Sequence, residues 1–147
     1  MNKFLAKSFQ YLFLFLCGGS VYYIIEFIYK HIFSGGRTHF SMFIVGGLML
    51  IIIGLINEIQ AFKSLCLIKQ MALSAAIITL AEYISGMIVN VYLGLGVWDY
   101  SNLPLNINGQ ICVPFTIIWF FFSIVPIMLD DFIREKIFKE NKHNYRL

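Results

Sequence analysis

The sequence predicts an all-α integral membrane protein, built as a bundle of about four transmembrane helices with both termini in the cytoplasm. Two observations come from composition: 59% of the 147 residues are hydrophobic and only 13% are charged. A soluble domain of this size leaves much of its surface in water and could not cover so many apolar side chains. The third observation is that these side chains fall into four segments, each close to the roughly 20 residues that a helix needs to cross a bilayer. We therefore expect a single transmembrane domain, 1–147, that crosses the cell membrane (the inner or cytoplasmic membrane) several times.

The first two spans are predicted at about 9–29 and 40–59. Two lysines before the first span resemble the start of a signal peptide. The apolar run continues past Tyr22 without a small-residue cleavage site, so we interpret it as a retained helix. The stretch 34–37, Ser-Gly-Gly-Arg, is prone to form a turn and must leave the hydrocarbon between the two spans.

The last two spans are predicted at about 67–92 and 111–129, and the third is long enough to be tilted. The external loop 93–110 between them is rich in turn-forming residues and in the aromatic residues that favour membrane interfaces. Residues 130–147 form a basic cytoplasmic tail, which serves as a topology anchor or continues as a short helix on the lipid surface.

The orientation follows from the 11 Lys and Arg residues, which are distributed unevenly. An even number of spans puts both termini on the same side, and the opposite side then carries only Lys30 and Arg37. By the positive-inside rule the termini are cytoplasmic and the loop 93–110 is external. The nine cations on the side of the termini are Lys3, Lys7, Lys63, Lys69, Arg134, Lys136, Lys139, Lys142 and Arg146.

Several classes of function find no support. A net charge of +3 without a basic face gives no reason to expect nucleic acid as a partner. Cys17, Cys66 and Cys112 have no metal-ligand spacing, and we interpret them as unbridged packing residues. P-loop, GxSxG and HExxH motifs are absent from the sequence, so we assign no catalytic residue, no metal and no cofactor.

Acidic residues inside the spans are the most informative feature, because each costs about 2.5–3.5 kcal/mol at the bilayer centre unless it is paired or protonated. Glu82 is the deepest, and one helix face joins it to a stripe of small and polar residues that must face protein or water. Glu26 shares its face of the first span with glycines that permit close helix packing and tyrosines that can donate hydrogen bonds. The stripe beside Glu82 consists of Ser74, Thr79, Ser85, Gly86 and Asn90.

These faces can converge on one polar core. We expect this core either to bind a solute or a proton, or to be a purely structural network; catalysis and metal binding are less favoured alternatives. In it, a pair between Arg37 and a carboxylate would lower the cost of burying either charge. The candidate residues are Glu26, Arg37, His39, Glu82, Asn90 and Asp99.

A further set of residues carries a resemblance to a known family. In the second half these are Glu82-Tyr83, Val97-Trp98-Asp99-Tyr100-Ser101, Pro104, Asn106, Gly109-Gln110-Ile111-Cys112, Trp119 and Asp130-Asp131. In the first half they are Glu26, Thr38-His39-Phe40-Ser41-Met42 and Gly46-Gly47. On these motifs the chain resembles the putative ABC-transporter type IV (CmpB-like) family, in particular a short four-span subgroup. The resemblance implies a polytopic membrane protein of permease type.

The leading functional hypothesis is a small transporter whose Glu82 and Glu26 bind a cationic solute or a proton. The loop motif Trp98, Tyr100, Ser101, Pro104, Asn106 and Gly109 would form an external cap. Beyond the lipid bilayer we expect a homo-oligomer, because four helices rarely enclose a solute path. The alternative is a non-catalytic accessory subunit whose polar faces bind the helices of a partner membrane protein; a pore-forming lysis protein is a third class.

Overall fold

The computed structural model of the chain describes residues 3–34, 37–140 and 145. Predictions that concern five positions lie outside the described residues: the side chain of Lys3, and Gly35, Gly36, Lys142 and Arg146.

Helices make up 74% of the structure, and the strands in the described ranges are two antiparallel strands of two residues each. The predicted all-α class is therefore confirmed. In chain order the elements are α1 (Lys3–Tyr29) with a π-helical turn (Lys30–Ser34), α2 (Ser41–Asn57), α3 (Gln60–Lys63), α4 (Leu67–Gly86) with a second π-helical turn (Met87–Tyr92), β1 (Asn106–Ile107), β2 (Ile111–Cys112), α5 (Val113–Phe122) and α6 (Ile124–Lys136).

Within the described residues, three helical segments are long and apolar enough to cross a membrane, Phe4–Phe33, Leu67–Tyr92 and Val113–Lys136. α2 is also apolar but has only 17 residues, which is the lower limit for a span. It is shorter than the predicted 40–59 and ends at Asn57. The Asn57 side chain is fully buried and donates to Asp131 Oδ1 at 2.7 Å, so the end of α2 is polar where the prediction continues an apolar span. The number of four spans and the cytoplasmic side of the termini remain predictions.

α1 and α2 pack with their backbones in close approach. A Cβ atom at Gly18 would lie 2.5 Å from Leu50 Cβ and 2.8 Å from the Gly46 carbonyl oxygen. A Cβ at Gly46 would in turn overlap Tyr22 Cβ. The two backbones therefore touch, as small residues at helix crossings permit. α4 packs against α5, and α6 returns to pack against α2.

The last apolar segment, predicted as one span at 111–129, is interrupted and then extended. α5 stops at Ser123, whose hydroxyl donates to the carbonyl oxygens of Phe120 at 2.7 Å and Met71 at 3.1 Å. Pro126, which has no N–H to donate to the preceding turn, follows within the first turn of α6. α6 then continues to Lys136, beyond the predicted end.

The helices have two distinct ends. We call the end formed by the two π-helical turns, 37–40 and 93–112 the loop end. The opposite end, formed by 58–66 and 137–140, is the tail end. There Phe138 packs edge-on against Phe9 and Phe13 of α1, with ring centroids 6.5 and 5.9 Å apart.

Candidate functional site

Glu82 lies inside α4 with only 9% of its surface exposed. Its carboxylate accepts two hydrogen bonds: the Tyr100 hydroxyl donates to Oε1 at 2.9 Å, and the Trp119 indole N–H donates to Oε2 at 2.8 Å. Glu82 belongs to none of the ion pairs among the described residues. A buried charge normally has a counter-charge, so a carboxylate held by two neutral donors is the distinctive feature of this site.

A cluster of aromatic rings holds these two donors in position. The Tyr100 ring stacks on Phe115 with centroids 4.4 Å apart, and Phe115 lies 6.3 Å from Trp119, which lies 6.2 Å from Tyr22. Burial and, after it, the nearby Glu82 carboxylate raise the pKa of Tyr100 above its ordinary value. The hydroxyl therefore stays protonated and remains a donor.

Asn90 lies in the second π-helical turn, about one turn beyond the end of α4 at Gly86, and binds the loop 93–110 to α4. Its amide donates to Gln110 Oε1 at 2.8 Å and to the Trp98 carbonyl at 3.0 Å, and its oxygen accepts the Val97 N–H at 2.7 Å. A Cβ at Gly86 would lie 2.5 Å from Gln110 Oε1. The loop therefore sits directly on the backbone of the helix that carries Glu82.

The remaining residues of the loop motif shape the loop itself. Asp99 Oδ1 accepts the Ser101 hydroxyl at 2.5 Å and the Ser101 N–H at 2.8 Å, and these bonds hold the pKa of Asp99 below its usual range. Asn106 Oδ1 accepts the Gly109 N–H at 3.2 Å, and Gly109 has φ +66°, a conformation that favours glycine. Asp99 and Pro104 are exposed, so this part of the motif folds the loop and does not line the buried carboxylate.

Glu26 forms the second acidic centre of the loop end. Its Oε1 lies 2.8 Å from Lys30 Nζ, and the two side chains are only 12% and 13% exposed. Lys30 also donates to the Val97 carbonyl at 2.8 Å and to the Arg37 carbonyl at 3.3 Å. Glu26 Oε2 is buried and has no hydrogen-bond partner among the described atoms.

The candidate residues are thus only partly brought together. Glu26, Glu82 and Asn90 lie in the interior of the loop end, whereas Arg37 and His39 are exposed. The expected pair between Arg37 and a carboxylate is not formed in the described part of the chain, because Lys30 takes that position one helical turn from Glu26. The His39 ring accepts the N–H of Ser41, the first residue of α2, at 3.2 Å.

Three residues of this site were not assigned a role from the sequence. Lys30 was counted only as a topology cation, although its spacing of four from Glu26 is a signal for an ion pair on one helix face. Gln110 has a place only in the family motif, and Trp119 only there and on the polar face of the fourth span, where the sequence gives it no partner. Nothing in the sequence pairs an indole with a carboxylate 37 positions away.

A second polar cluster lies at the tail end. Arg134 Nε donates to both oxygens of the fully buried Asp130, at 2.9 and 2.8 Å. Carboxylate oxygens of Glu58, Asp130 and Asp131 lie within 4.8 Å of one another, a spacing that a metal ion could use. Arg134 already supplies the positive charge at Asp130, so we assign no metal to this cluster.

A cavity of about 90 Å³ lies between the helices, with Trp119 among its lining residues and Glu82 not among them. Apolar side chains line nearly all of it, together with the Tyr22 and Trp119 rings. Its volume is well below the roughly 300–1,000 Å³ of sites for drug-sized ligands.

The model of a family described as "Putative ABC-transporter type IV" matches residues 13–146. The chain belongs to this family. The match covers both hairpins of the bundle, the loop 93–110 and the tail-end cluster, and it confirms the resemblance noted from the motifs. Neither curated proteins nor solved structures gave a match.

Membership of this family agrees with the apolar helices and supports a membrane protein of transporter type.

Proposed function

We propose that this protein is a transporter of the cell membrane in which Glu82 takes up and releases a proton. The observation that carries the proposal is the pair of neutral donors on Glu82, without a counter-ion among the described residues. A carboxylate in such surroundings is stabilised in its charged form only by hydrogen bonds, and a proton can replace part of that stabilisation.

The two donors differ in a way that locates the proton. An indole N–H can only donate, so Oε2 facing Trp119 remains an acceptor in both protonation states. A phenol can donate or accept, so Tyr100 can reverse its role when Oε1 carries a proton. Oε1 is therefore the oxygen that binds the proton in this proposal.

Protonation of Oε1 would also affect the loop. Tyr100 belongs to the loop that Asn90 and Gln110 hold on α4, and when the carboxylate is neutral its charge-assisted bond to Glu82 is replaced by a weaker neutral one in which Tyr100 accepts. The loop contact thus becomes weaker as the proton arrives, which links occupancy of Glu82 to opening of the loop end.

Infrared spectroscopy of the purified protein tests the proposal directly. We expect acidification to produce a protonated-carboxyl C=O band that is absent in Glu82→Gln and shifted in Tyr100→Phe. Glu58→Gln is the matched control, because Glu58 is exposed at the tail end and paired with Lys63 at 3.1 Å.

A flux assay supplies the second readout. In proteoliposomes with a trapped pH dye and an imposed membrane potential, wild type and Glu58→Gln should take up protons and Glu82→Gln should not. A folded Glu82→Gln variant with wild-type uptake and an unchanged infrared spectrum would refute the proton role.

A further inference from the structure

We infer that Lys30 is an internal occupant of a cation site at the loop end, and that the external ligand of this site is a small primary ammonium ion. The site consists of Glu26 Oε1 and the Val97 carbonyl, both 2.8 Å from Lys30 Nζ, and the Arg37 carbonyl at 3.3 Å. An ammonium group has three N–H donors, and here each faces one oxygen.

A second observation at the same place points to a ligand. Glu26 Oε2 is buried and accepts no hydrogen bond from any described atom. Leaving a buried carboxylate oxygen unpaired is costly, and Lys30 uses all three donors on other oxygens. A ligand that brought its own N–H groups could bind both carboxylate oxygens, which the tethered Lys30 head does not do.

The position of the site gives displacement of Lys30 a structural consequence. Val97 lies in the loop between α4 and α5, and Arg37 lies in the connection between α1 and α2. The Lys30 ammonium therefore binds a carbonyl of each connection and, at the same time, the Glu26 carboxylate of α1. A ligand that displaced it would take over both carbonyls from Lys30, so its binding would act on both connections at once, whereas a purely structural tie would bind no external cation.

The binding step is accessible from the surface. The hydrogen bond from Lys30 to the Arg37 carbonyl is solvent-exposed, so an incoming ammonium meets this oxygen first. The inference deepens the proposed transporter function by naming a class of solute, and rests on that function for its physiological meaning. Binding itself depends on Glu26 and not on Glu82.

Chemical rescue of Lys30→Ala is the test. This variant keeps Cβ and lacks the atoms that n-propylammonium supplies, so we expect propylammonium chloride to raise its thermal unfolding midpoint in a saturable way. Affinity in Lys30→Ala should exceed that in wild type by at least about tenfold, because the tethered ammonium competes at millimolar or higher effective concentration. 1-Propanol and tetramethylammonium chloride, which lack the charge and the N–H donors respectively, should have no such effect.

Two variants make the outcome decisive. Rescue must disappear in Lys30→Ala/Glu26→Gln and persist in Lys30→Ala/Glu82→Gln, which separates this site from the proton proposal. An equal response to propylammonium and tetramethylammonium, or rescue that survives Glu26→Gln, would overturn the inference.

A titration of the wild-type protein decides the question if Lys30→Ala does not fold. Trp98 follows Val97 directly, so propylammonium should change tryptophan fluorescence in wild type and leave Glu26→Gln unchanged. The same change in both proteins, or none in either, counts against the site.

Discussion

Trp119 donates its indole N–H to Glu82 Oε2 at 2.8 Å, which joins α5 to α4 across 37 positions of the chain. Because Tyr100 occupies the other oxygen, the carboxylate is bound between a helix and a loop. This arrangement makes Glu82 both a packing element and the centre of the proposed proton site.

Replacement of Trp119 tests the packing role. Trp119→Phe keeps an aromatic ring but leaves Oε2 of a buried carboxylate without its donor, which should lower the free energy of unfolding by about 1–3 kcal/mol. Denaturant unfolding in detergent micelles measures the change. Phe121→Leu on the same helix, where the ring is 62% exposed, is the control, and an equal effect of the two substitutions would contradict the prediction.

Because α1 packs closely on α2, the effect of an alanine substitution in α1 on stability should depend strongly on its position. Gly18→Ala introduces a Cβ 2.5 Å from Leu50 Cβ, so the helices must separate at a cost of about 1–3 kcal/mol. Ser20→Ala, at an exposed position two residues further along α1, should leave the unfolding midpoint nearly unchanged. If both variants were equally stable, the backbone contact would not exist in solution.

Removing one charge of the buried ion pair Asp130–Arg134 at the tail end should lower the free energy of unfolding strongly. Asp130→Asn leaves Arg134 with Glu140 at 3.5 Å and Glu58 at 3.9 Å as its remaining acidic partners, and we expect a loss near the lower end of the range of about 3–5 kcal/mol. Asp130→Leu/Arg134→Met removes both charges and should be the more stable variant. Lys136→Gln, at an exposed side chain, serves as the control for a lost surface charge in the same unfolding assay.

Tyr100 should make the fold sensitive to alkali. Its pKa is raised in the folded protein, so the folded state holds the phenol proton more tightly than the unfolded state does. This contribution to stability is complete below the ordinary tyrosine pKa of about 10 and is lost as pH rises above it.

Unfolding free energies measured from pH 9 upward check this sign in wild type, Tyr100→Phe and Tyr92→Phe. Tyr100→Phe should remove part of the alkaline fall, while Tyr92→Phe, whose ring is 86% exposed, should retain it. A wild-type slope in Tyr100→Phe would show that the hydroxyl is solvated.

Much of the fold could be predicted from the sequence because the hydropathy of a segment depends only on the residues in that segment. The third predicted span, 67–92, coincides with α4 and its π-helical turn, since its apolar composition sets its length. The position of the break, at Ser123, and the early end of α2 at Asn57 could not be predicted from the sequence. Both depend on polar side chains that find partners on other helices, Met71 and Asp131.

The sequence by itself determined that this protein is a helical membrane protein and that Glu26 and Glu82 are the acidic residues that need partners. Only the tertiary structure decided which partners those are. Lys30 rather than Arg37 pairs with Glu26, and Tyr100 and Trp119 bind Glu82. The physical reason is that the cost of burying a carboxylate depends on its residue type and its depth in the membrane. Its pairing depends instead on how the helices rotate and cross. Small residues such as Gly18 and Gly86 set that packing through contacts with residues far away in the sequence.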